Sequence, residues 1–364
     1  QVHAATLTDD FVCLCDGYSG GKEVAVKVMH PDAEDRFRND FKILKWLCRV
    51  ALPGWSPILP ELERAFMKEF DYRNEASNLY SVRQNMLASP YKNRVCVPEP
   101  LTKYSTTNML IMERLEGDKL VSVAESGLTR ALQGDENLAK MLIEDRRRAI
   151  IDGEFDEDST KKDMQKVLDS IAHHSILTRM KIMWQLASLV WVQRRNVDLL
   201  LDVHGYQIFR NGQFNGDPHP GNILVLENGQ LGLIDYGQCY TLTEEDRLAL
   251  SYIVRELSNP EVDGATLSSA MRDFGFRFKY YKEDVVKEMA SLLFDSDNAR
   301  IPLGLPTPQE LLMYLNSQDP METVPDPAVF VCRTSFLFRG MGMITGMDIR
   351  TASRWRNHAI SALK

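Results

Sequence analysis

Asp217, Asn222 and Asp235 fall within one short stretch, FNGDPHPGNILVLENGQLGLIDYGQ, residues 214–238. Two carboxylates and an amide are hard oxygen donors, the kind Mg²⁺ takes together with waters and phosphate oxygens. A carboxylate beside such a cation can also orient a hydroxyl and accept its proton. The spacing suggests how the three would be arranged. Asn228-Gly229 is the strongest short hairpin signal, and the flanking runs Ile223–Leu226 and Leu231–Ile234 are apolar and strand-prone. With Asn228 and Gly229 as a two-residue turn, Leu226 faces Leu231, Ile223 faces Ile234 and Asn222 faces Asp235. Opposed residues have Cβ atoms about 5 Å apart, so this register pairs an amide with a carboxylate at the open end of the hairpin. Asp217 precedes Asn222 by five positions, in a loop restricted by Pro218, Pro220 and Gly221. Either Asp217 or Asn222 alone would serve equally well as a turn cap. Together with the following Asp-Tyr-Gly they form the set of parts used in kinase-type phosphoryl transfer.

Such chemistry needs a cation on the nucleotide phosphates. In EVAVKVM, strand alternation puts Ala25 and Lys27 on one face and Val24, Val26 and Val28 on the other. Ala25 is small enough to lie over an adenine ring while Lys27 reaches the phosphates. A carboxylate should hold Lys27, and FMKEFDYRNEASNL offers Glu69, Asp71 and Glu75. On one continuous helix Glu69 and Glu75 lie about 120° apart, with Asp71 on another side, so they cannot all meet Lys27. Glu69 is the first choice and Glu75 the second. MLIMERLEG then reads as a strand running into a hinge between lobes. Met112 would line the base pocket, and the backbone from Glu113 to Leu115 would bond the adenine edge. His219, a possible general base, stands between two prolines and is better explained as positional.

These groups need a scaffold. QVHAATL and FVCLC read as paired strands around Thr8-Asp9-Asp10, followed by the strand EVAVKVM. DRFRNDFKILKWLCRVAL has helical apolar spacing, and a second helix is expected over roughly 61–87. VCVPEPLTKYSTTNMLIMERLEG reads as two strands with a turn near 105–108. After Gly117 the pattern is mostly helical. The expected fold is α+β, a protein-kinase-like two-lobed arrangement. Residues 1–116 would form a small β-rich N-lobe, and 117–364 a large, mostly helical C-lobe with a charged insertion at about 118–175.

Composition bounds the function. The chain has 364 residues, 26% charged and 44% hydrophobic, with a net charge of −8, which speaks against broad nucleic-acid binding. Six cysteines without a CxxC pair argue against zinc or redox chemistry and read as reduced. Five of the seven residues in DGEFDED, 152–158, are acidic, but the Ca²⁺-loop register is absent, so a solvated helical insertion explains them. The most apolar run, Ala328 to Gly346, contains Arg333 and Arg339 and reads as a buried helix rather than a membrane span. His173-His174 has no ligand spacing, and Phe330, Phe336 and Phe338 read as helix packing.

VAVKV, EFDYRNEASN, FNGDPHPGNIL and LGLIDYGQ together resemble the UbiB, or AarF-domain (ABC1-like), family of atypical kinase-like proteins. The resemblance extends over nearly the whole chain, including FLFRGMGMITGMD. It implies a kinase-like fold that binds ATP with Mg²⁺. It also implies a link to isoprenoid-quinone or related lipid biosynthesis on mitochondrial, plastid or bacterial membranes, with the membrane surface and lipid-biosynthesis proteins as partners. By the resemblance, Lys27 is similar to the phosphate lysine, Glu69 to its helix partner, Asp217 to the catalytic-loop aspartate, and Asn222 and Asp235 to the metal ligands. Glu75 and Asp71 belong to the same motif. The family's Lys-x-Gly-Gln extension and Ala-rich phosphate loop have no counterpart here, where QVH resembles the end of that loop; truncation is the expected reason. Asn215-Gly216 stands where many relatives have His-Ala, which bears on how Asp217 is held.

Only Gln238 to Leu242 separate DYG from a helix start, marked by Thr243 followed by Glu244, Glu245 and Asp246. No platform for a substrate peptide fits there, so general protein-kinase activity is not expected. A small molecule, a lipid head group or water is the expected acceptor. Two alternatives are a small-molecule kinase of the aminoglycoside or choline kinase type, which also uses Asp-x-His-x-x-Asn, and a nucleotide-binding pseudokinase scaffold. EFDYRNEASN speaks against the first of these, and the complete set of catalytic groups against the second.

Overall fold

Val24 explains why EVAVKV becomes a strand with two distinct faces. It is buried with Leu7, Leu101 and Ile111, and Val26, Tyr104 and Met109 pack against that cluster. Each such side chain contributes about 1.5–3 kcal/mol on burial. Ala25 and Lys27 therefore lie on the opposite face. The computed structural model describes residues 1–8, 21–51, 59, 63, 66–151, 157–300, 302–305 and 307–364. The chain forms two units. One joins Gln1–Asp118 with Gln213–Thr241, and the other joins Lys119–Gly212 with Leu242–Lys364. The division expected at residue 116 thus differs in one respect: the hairpin segment belongs to the first unit.

In the first unit, β1 (Val2–Thr6) pairs antiparallel with β2 (Glu23–Val28), which pairs antiparallel with β4 (Met109–Glu113). The segment FVCLC expected beside β1 lies outside the described residues. Helix α1 (Ala33–Ala51) starts with Glu34 and Asp35 in its first turn, where carboxylates favour the helix dipole. Phe37 meets Phe41, Phe66 and Phe70 with ring centroids 5.2–5.5 Å apart.

The expected continuous helix over 61–87 is interrupted. Lys68–Phe70 forms a 3₁₀ turn, and Asp71 is extended at φ −132°, ψ 99°. Asp71 then caps α2 (Tyr72–Leu87) by accepting the Arg73 N–H. Val95–Cys96, here β3, does not pair with β4 as a local hairpin. It lies parallel to β8 (Leu231–Leu233) in a second sheet of order β3-β8-β7-β5, where β5 is Gly117–Lys119 and β7 is Ile223–Leu226.

The β7–β8 hairpin departs from the expected register. Its pairs are Ile223 with Leu233, Leu224 with Gly232 and Val225 with Leu231. Gly229 donates to the Leu226 carbonyl at 2.9 Å, and Leu226 N–H donates to the Gln230 carbonyl at 2.9 Å. The loop therefore has three residues, with Gly229 at φ 79° supplying the left-handed position that closes it. A three-residue loop shifts the register by one, which reassigns side chains to faces. Beyond the hairpin, β9 (Cys239–Thr241) returns antiparallel to β6 (Gln213–Asn215).

The second unit is helical: α3 (Leu120–Ala131), α4 (Glu136–Ile151), α5 (Glu157–Ser170), α6 (Ile176–Tyr206), α7 (Glu244–Leu257), α8 (Gly264–Asp273), α9 (Glu283–Phe294), α10 (Pro308–Gln318), α11 (Asp326–Thr345) and α12 (Thr351–Ala362), with a small β10–β11 pair (Arg277–Phe278, Met321–Thr323). The charged segment 118–175 falls on α3–α5; residues 152–156 of DGEFDED lie outside the described residues. Trp355 of α12 is fully buried, and its indole N–H donates to the Leu201 carbonyl of α6 at 2.9 Å. It passes so close to Gly205 that a Cβ there would stand 2.7 Å from the indole. Buried Asp295 accepts from Arg350 and from the Ala352 N–H, tying α9 to the start of α12. Helix α11 buries Phe338 and Arg339. Among the described residues, no helix is long and apolar enough to cross a membrane.

Candidate active site

Once Asp71 has restarted the helix, Glu75 and Asn78 stand three residues apart on one face of α2. Both reach the segments expected to carry chemistry. The Lys27 ammonium donates to Glu75 Oε1 at 3.0 Å and Oε2 at 2.9 Å, and to Asp235 Oδ2 at 3.2 Å. Three positions along α2, Asn78 Nδ2 donates to the Tyr236 carbonyl at 3.0 Å. The same helix thus fixes the lysine and the backbone of the Asp-Tyr-Gly turn.

The carboxylate that holds Lys27 is Glu75, not the first-choice Glu69. Preferring Glu69 required one helix through both residues, and the extended Asp71 between them removes that premise. Glu69 sits on the 3₁₀ turn before the break. It still lies near the cluster: a Cβ placed on Gly237 would be 3.8 Å from Glu69 Cγ, 3.6 Å from Glu75 Oε2 and 3.4 Å from Asp235 Oδ1. Three acids therefore converge around one lysine and one glycine. Asp71 is spent on its cap and on a pair with Arg73, 2.6 Å away, whose hydrogen bond lowers the Asp71 pKa.

Electrostatics follow from this crowding. Burial pushes the Glu75 carboxyl up, the charge of Asp235 pushes it further, and Lys27 holds it back, leaving it at about 7. For Lys27 burial works against the charged form. The charges of Glu75 and Asp235 and the Glu75 hydrogen bond outweigh it, and the net shift is upward. The Lys27 ammonium also lies 5.3 Å from the centre of the Tyr72 ring. Burial, more than any neighbouring charge, raises the Tyr72 pKa.

Asp235 is held from both sides. Its Oδ1 accepts the Gly237 N–H at 3.0 Å, and its main-chain carbonyl accepts from Asn215 Nδ2 at 2.8 Å. Asn215 Oδ1 in turn accepts the Asp217 N–H at 2.8 Å. One buried side chain therefore spans the two aspartates, and Gly216 N–H adds a bond to the Gln238 carbonyl at 2.8 Å. From sequence, Asn215 stood out only as a departure from the residue many relatives carry. Asn and Asp commonly accept the N–H two residues on, and that habit was the available signal.

Around Asp217 the loop is tight. The Asp217 carbonyl accepts the His219 N–H at 2.7 Å, and the His219 carbonyl accepts the Asn222 N–H at 2.9 Å. His219 Nδ1 accepts the Gly221 N–H at 3.1 Å, so the ring caps a turn, and its proton belongs on Nε2. The Asn222 carbonyl accepts the Ile234 N–H at 3.2 Å. Asn222 therefore lies opposite Ile234, not Asp235, because of the one-residue shift at the loop. Both residues remain at the open end of the hairpin, but the direct cross-strand pairing is gone.

On the strand side, Ala25 pairs with Met112, which is buried, and Lys27 pairs with Leu110. The Glu113 N–H is already donated to the Glu99 carbonyl at 2.8 Å, so it is not a donor for a base. The expected hinge donors reduce to the backbone beyond it, toward Leu115. Leu115 packs its side chain over Gly232, where a Cβ would meet it at 3.1 Å.

Mg²⁺ binds with one or two carboxylates and fills its shell with water and phosphate oxygens. The donor set here suits that habit. Among the described residues no three His, Cys, Asp or Glu side chains form a metal cage, while Asp235 keeps unused lone pairs on both oxygens.

A family model for the ABC1 atypical kinase-like domain matches residues 1–155 and 190–268. Among solved structures, the Rv3197–erythromycin complex from Mycobacterium tuberculosis is similar at 17% identity. That similarity spans 86% of this chain and 68% of the other, with a TM-score of 0.44. The family match takes in β1 to α4 and then the second half of α6 through the hairpin and α7 into α8, and so includes every residue of the Lys27–Glu75–Asp235 cluster and its supports. The chain belongs to the family of ABC1 atypical kinase-like domains.

Proposed function

We propose that this chain binds ATP with Mg²⁺ and transfers the γ-phosphoryl group to a non-protein acceptor or to water, in the manner of UbiB-type proteins that support isoprenoid-quinone or related lipid synthesis. The observation that carries the reading is the bridge from Lys27 to both Glu75 and Asp235. A lysine fixed between a helix carboxylate and the Asp-Tyr-Gly aspartate is poised for nucleotide phosphates. In this reading Lys27 neutralises phosphate charge, Asp235 and Asn222 hold the metal, and Asp217 orients the attacking hydroxyl. Mg²⁺, when bound, neutralises charge on the phosphate oxygens. Ala25 and Met112 would border the base, and Glu69 would add negative charge near Gly237.

The short segment after Asp-Tyr-Gly disfavours a protein acceptor. Cys239–Thr241 pairs with Gln213–Asn215, and Thr243 caps α7 by accepting the Asp246 N–H at 3.1 Å. The chain between is taken up by the ladder, and no length remains for a peptide platform. The test is ATP binding and turnover by the purified protein with and without Mg²⁺. Wild type should bind and hydrolyse ATP or phosphorylate an added alcohol. Asp235→Asn should lose Mg²⁺-dependent turnover, and Lys27→Met should lose nucleotide affinity. Full turnover in both variants would overturn the proposal.

A further inference from the structure

The N-terminal half of α6 exposes a row of large apolar side chains. Leu177, Met180, Trp184 and Trp191 are 80%, 64%, 71% and 61% exposed, and Ile176 flanks them at 74%. Their spacing of three, four and seven residues puts them on one side of the helix, with the short side chain of Ala187 in the gap. From Leu177 to Trp191 the ridge runs about 21 Å. Toward the other end of the helix the burial changes: Val197, Leu200, Leu201 and Val203 are all buried.

Two exposed indoles in one apolar row mark an interaction surface, and charge indicates which kind of partner fits it. The twenty residues 176–195 contain Arg179, Lys181, Arg194 and Arg195 and no aspartate or glutamate, in a chain whose net charge is −8. Arg195 lies 5.8 Å from the Trp191 ring, and Arg194 donates to the Thr345 and Gly346 carbonyls, close to exposed Ile344. A second copy using the same ridge across a two-fold axis would bring these cations against their equals. An anionic bilayer surface has the complementary charge. Indole rings suit the depth of lipid head groups, and Lys and Arg stems extend beside apolar surface while their heads stay in water. Residues 176–189, which carry Leu177, Met180, Lys181 and Trp184, lie outside both stretches matched by the family model, while Trp191 and Arg195 fall within the second.

We propose that the Leu177–Trp191 ridge of α6 docks the protein on an anionic lipid surface, with the indoles of Trp184 and Trp191 entering the head-group layer and Lys181 and Arg195 facing lipid phosphates. This docking does not depend on the phosphotransfer reading, and its test uses no nucleotide.

The experiment is vesicle flotation of the full chain with phosphatidylcholine alone and with phosphatidylcholine containing 30% phosphatidylserine. Tryptophan quenching by brominated lipid runs in parallel. The protein should float with the anionic vesicles, release as salt is raised, and show quenched indoles. Because the ridge is exposed, Trp184→Ser with Trp191→Ser should fold, as circular dichroism will confirm, and lose about tenfold or more in partitioning. Lys181→Glu with Arg195→Glu should lose binding while keeping both indoles. Three results would overturn the proposal: no anionic binding by wild type, unchanged binding in both variants, or a wild-type dimer that the Trp184→Ser, Trp191→Ser variant abolishes. The last would assign the ridge to a second copy of the chain.

Discussion

Replacing Asn215 with alanine deletes a side chain that does two jobs at once. It takes the donor from the Asp235 carbonyl and the acceptor from the Asp217 N–H, both at 2.8 Å and both in a buried setting. An unsatisfied buried backbone group costs about 1–3 kcal/mol, so two of them cost about 2–6 kcal/mol. The amide removed is about the size of one water, which could take its place and relieve part of this, so the expected loss is about 3 kcal/mol. Asn215→Asp gives a sharper comparison. It keeps an acceptor for Asp217 but turns an oxygen toward the Asp235 carbonyl, so it should lose about as much as alanine despite its matching shape. Urea unfolding monitored by tryptophan fluorescence reads both values. In the folded fraction, nucleotide affinity measured by calorimetry should fall severalfold as Asp217 and Asp235 lose their common tether. If Asn215→Ala costs less than about 0.5 kcal/mol and leaves affinity intact, the tether is incidental and the reasoning fails.

Three further outcomes are expected. In Glu75→Gln the Lys27 amine should acylate severalfold faster at pH 8.5, because the largest charge favouring its ammonium form is gone; mass spectrometry of labelled peptides will show it, and a comparable effect from Glu69→Gln instead would reverse the assignment of the pair. His204 is buried, donates Nδ1–H to the Leu200 carbonyl and has a pKa lowered by burial from 6.5 to about 4. Between those pH values the unfolded chain holds more protons, so the wild type should lose about 3 kcal/mol of stability relative to His204→Leu as pH falls from 6.5 to 4, read by denaturant titration at each pH. Gly229→Ala should cost about 1 kcal/mol from its φ of 79°, with no clash within 4 Å, while Asn228→Ala should cost about 0.5 kcal/mol or less, since Asn228 is not in the left-handed region; a two-residue turn would penalise both.

The parts that sequence reading captured are the ones governed by local rules. Strand alternation placed Val24 in the core and Lys27 on the other face, and the N-cap at Thr243 followed from its acidic neighbours. What escaped was decided by single-residue boundaries or by distant partners. Glu69 looked better placed than Glu75 because nothing local announced that Asp71 would end one turn and begin another. Asn228-Gly229 looked like a two-residue turn, yet Glu227 also belongs to the loop, and one added residue moved Asn222 from Asp235 to Ile234. Val95–Cys96 joined β8 in parallel across more than a hundred residues, a partner that no periodicity reveals. Asn78, which holds the Tyr236 carbonyl, sat in the EFDYRNEASN motif without a role because backbone acceptors leave no sequence trace.

The pairing of β9 with β6 bears on how the candidate site could be governed. Tyr240 and Thr241 offer the hydroxyls a modifying kinase would seek just past the Asp-Tyr-Gly turn, but Tyr240 is paired with Phe214, and Thr241 with Gln213. The Tyr240 ring also lies against that of Phe214, with centroids 6.3 Å apart. Thr241 is exposed and Tyr240 half-buried, so a phosphate on either hydroxyl would add charge beside the ladder that carries Asn215, the residue bonded to both aspartates. Covalent marking on this strand would therefore act at the edge of the candidate site, through the strand next to Asn215 and not on Asp217 or Asp235 directly.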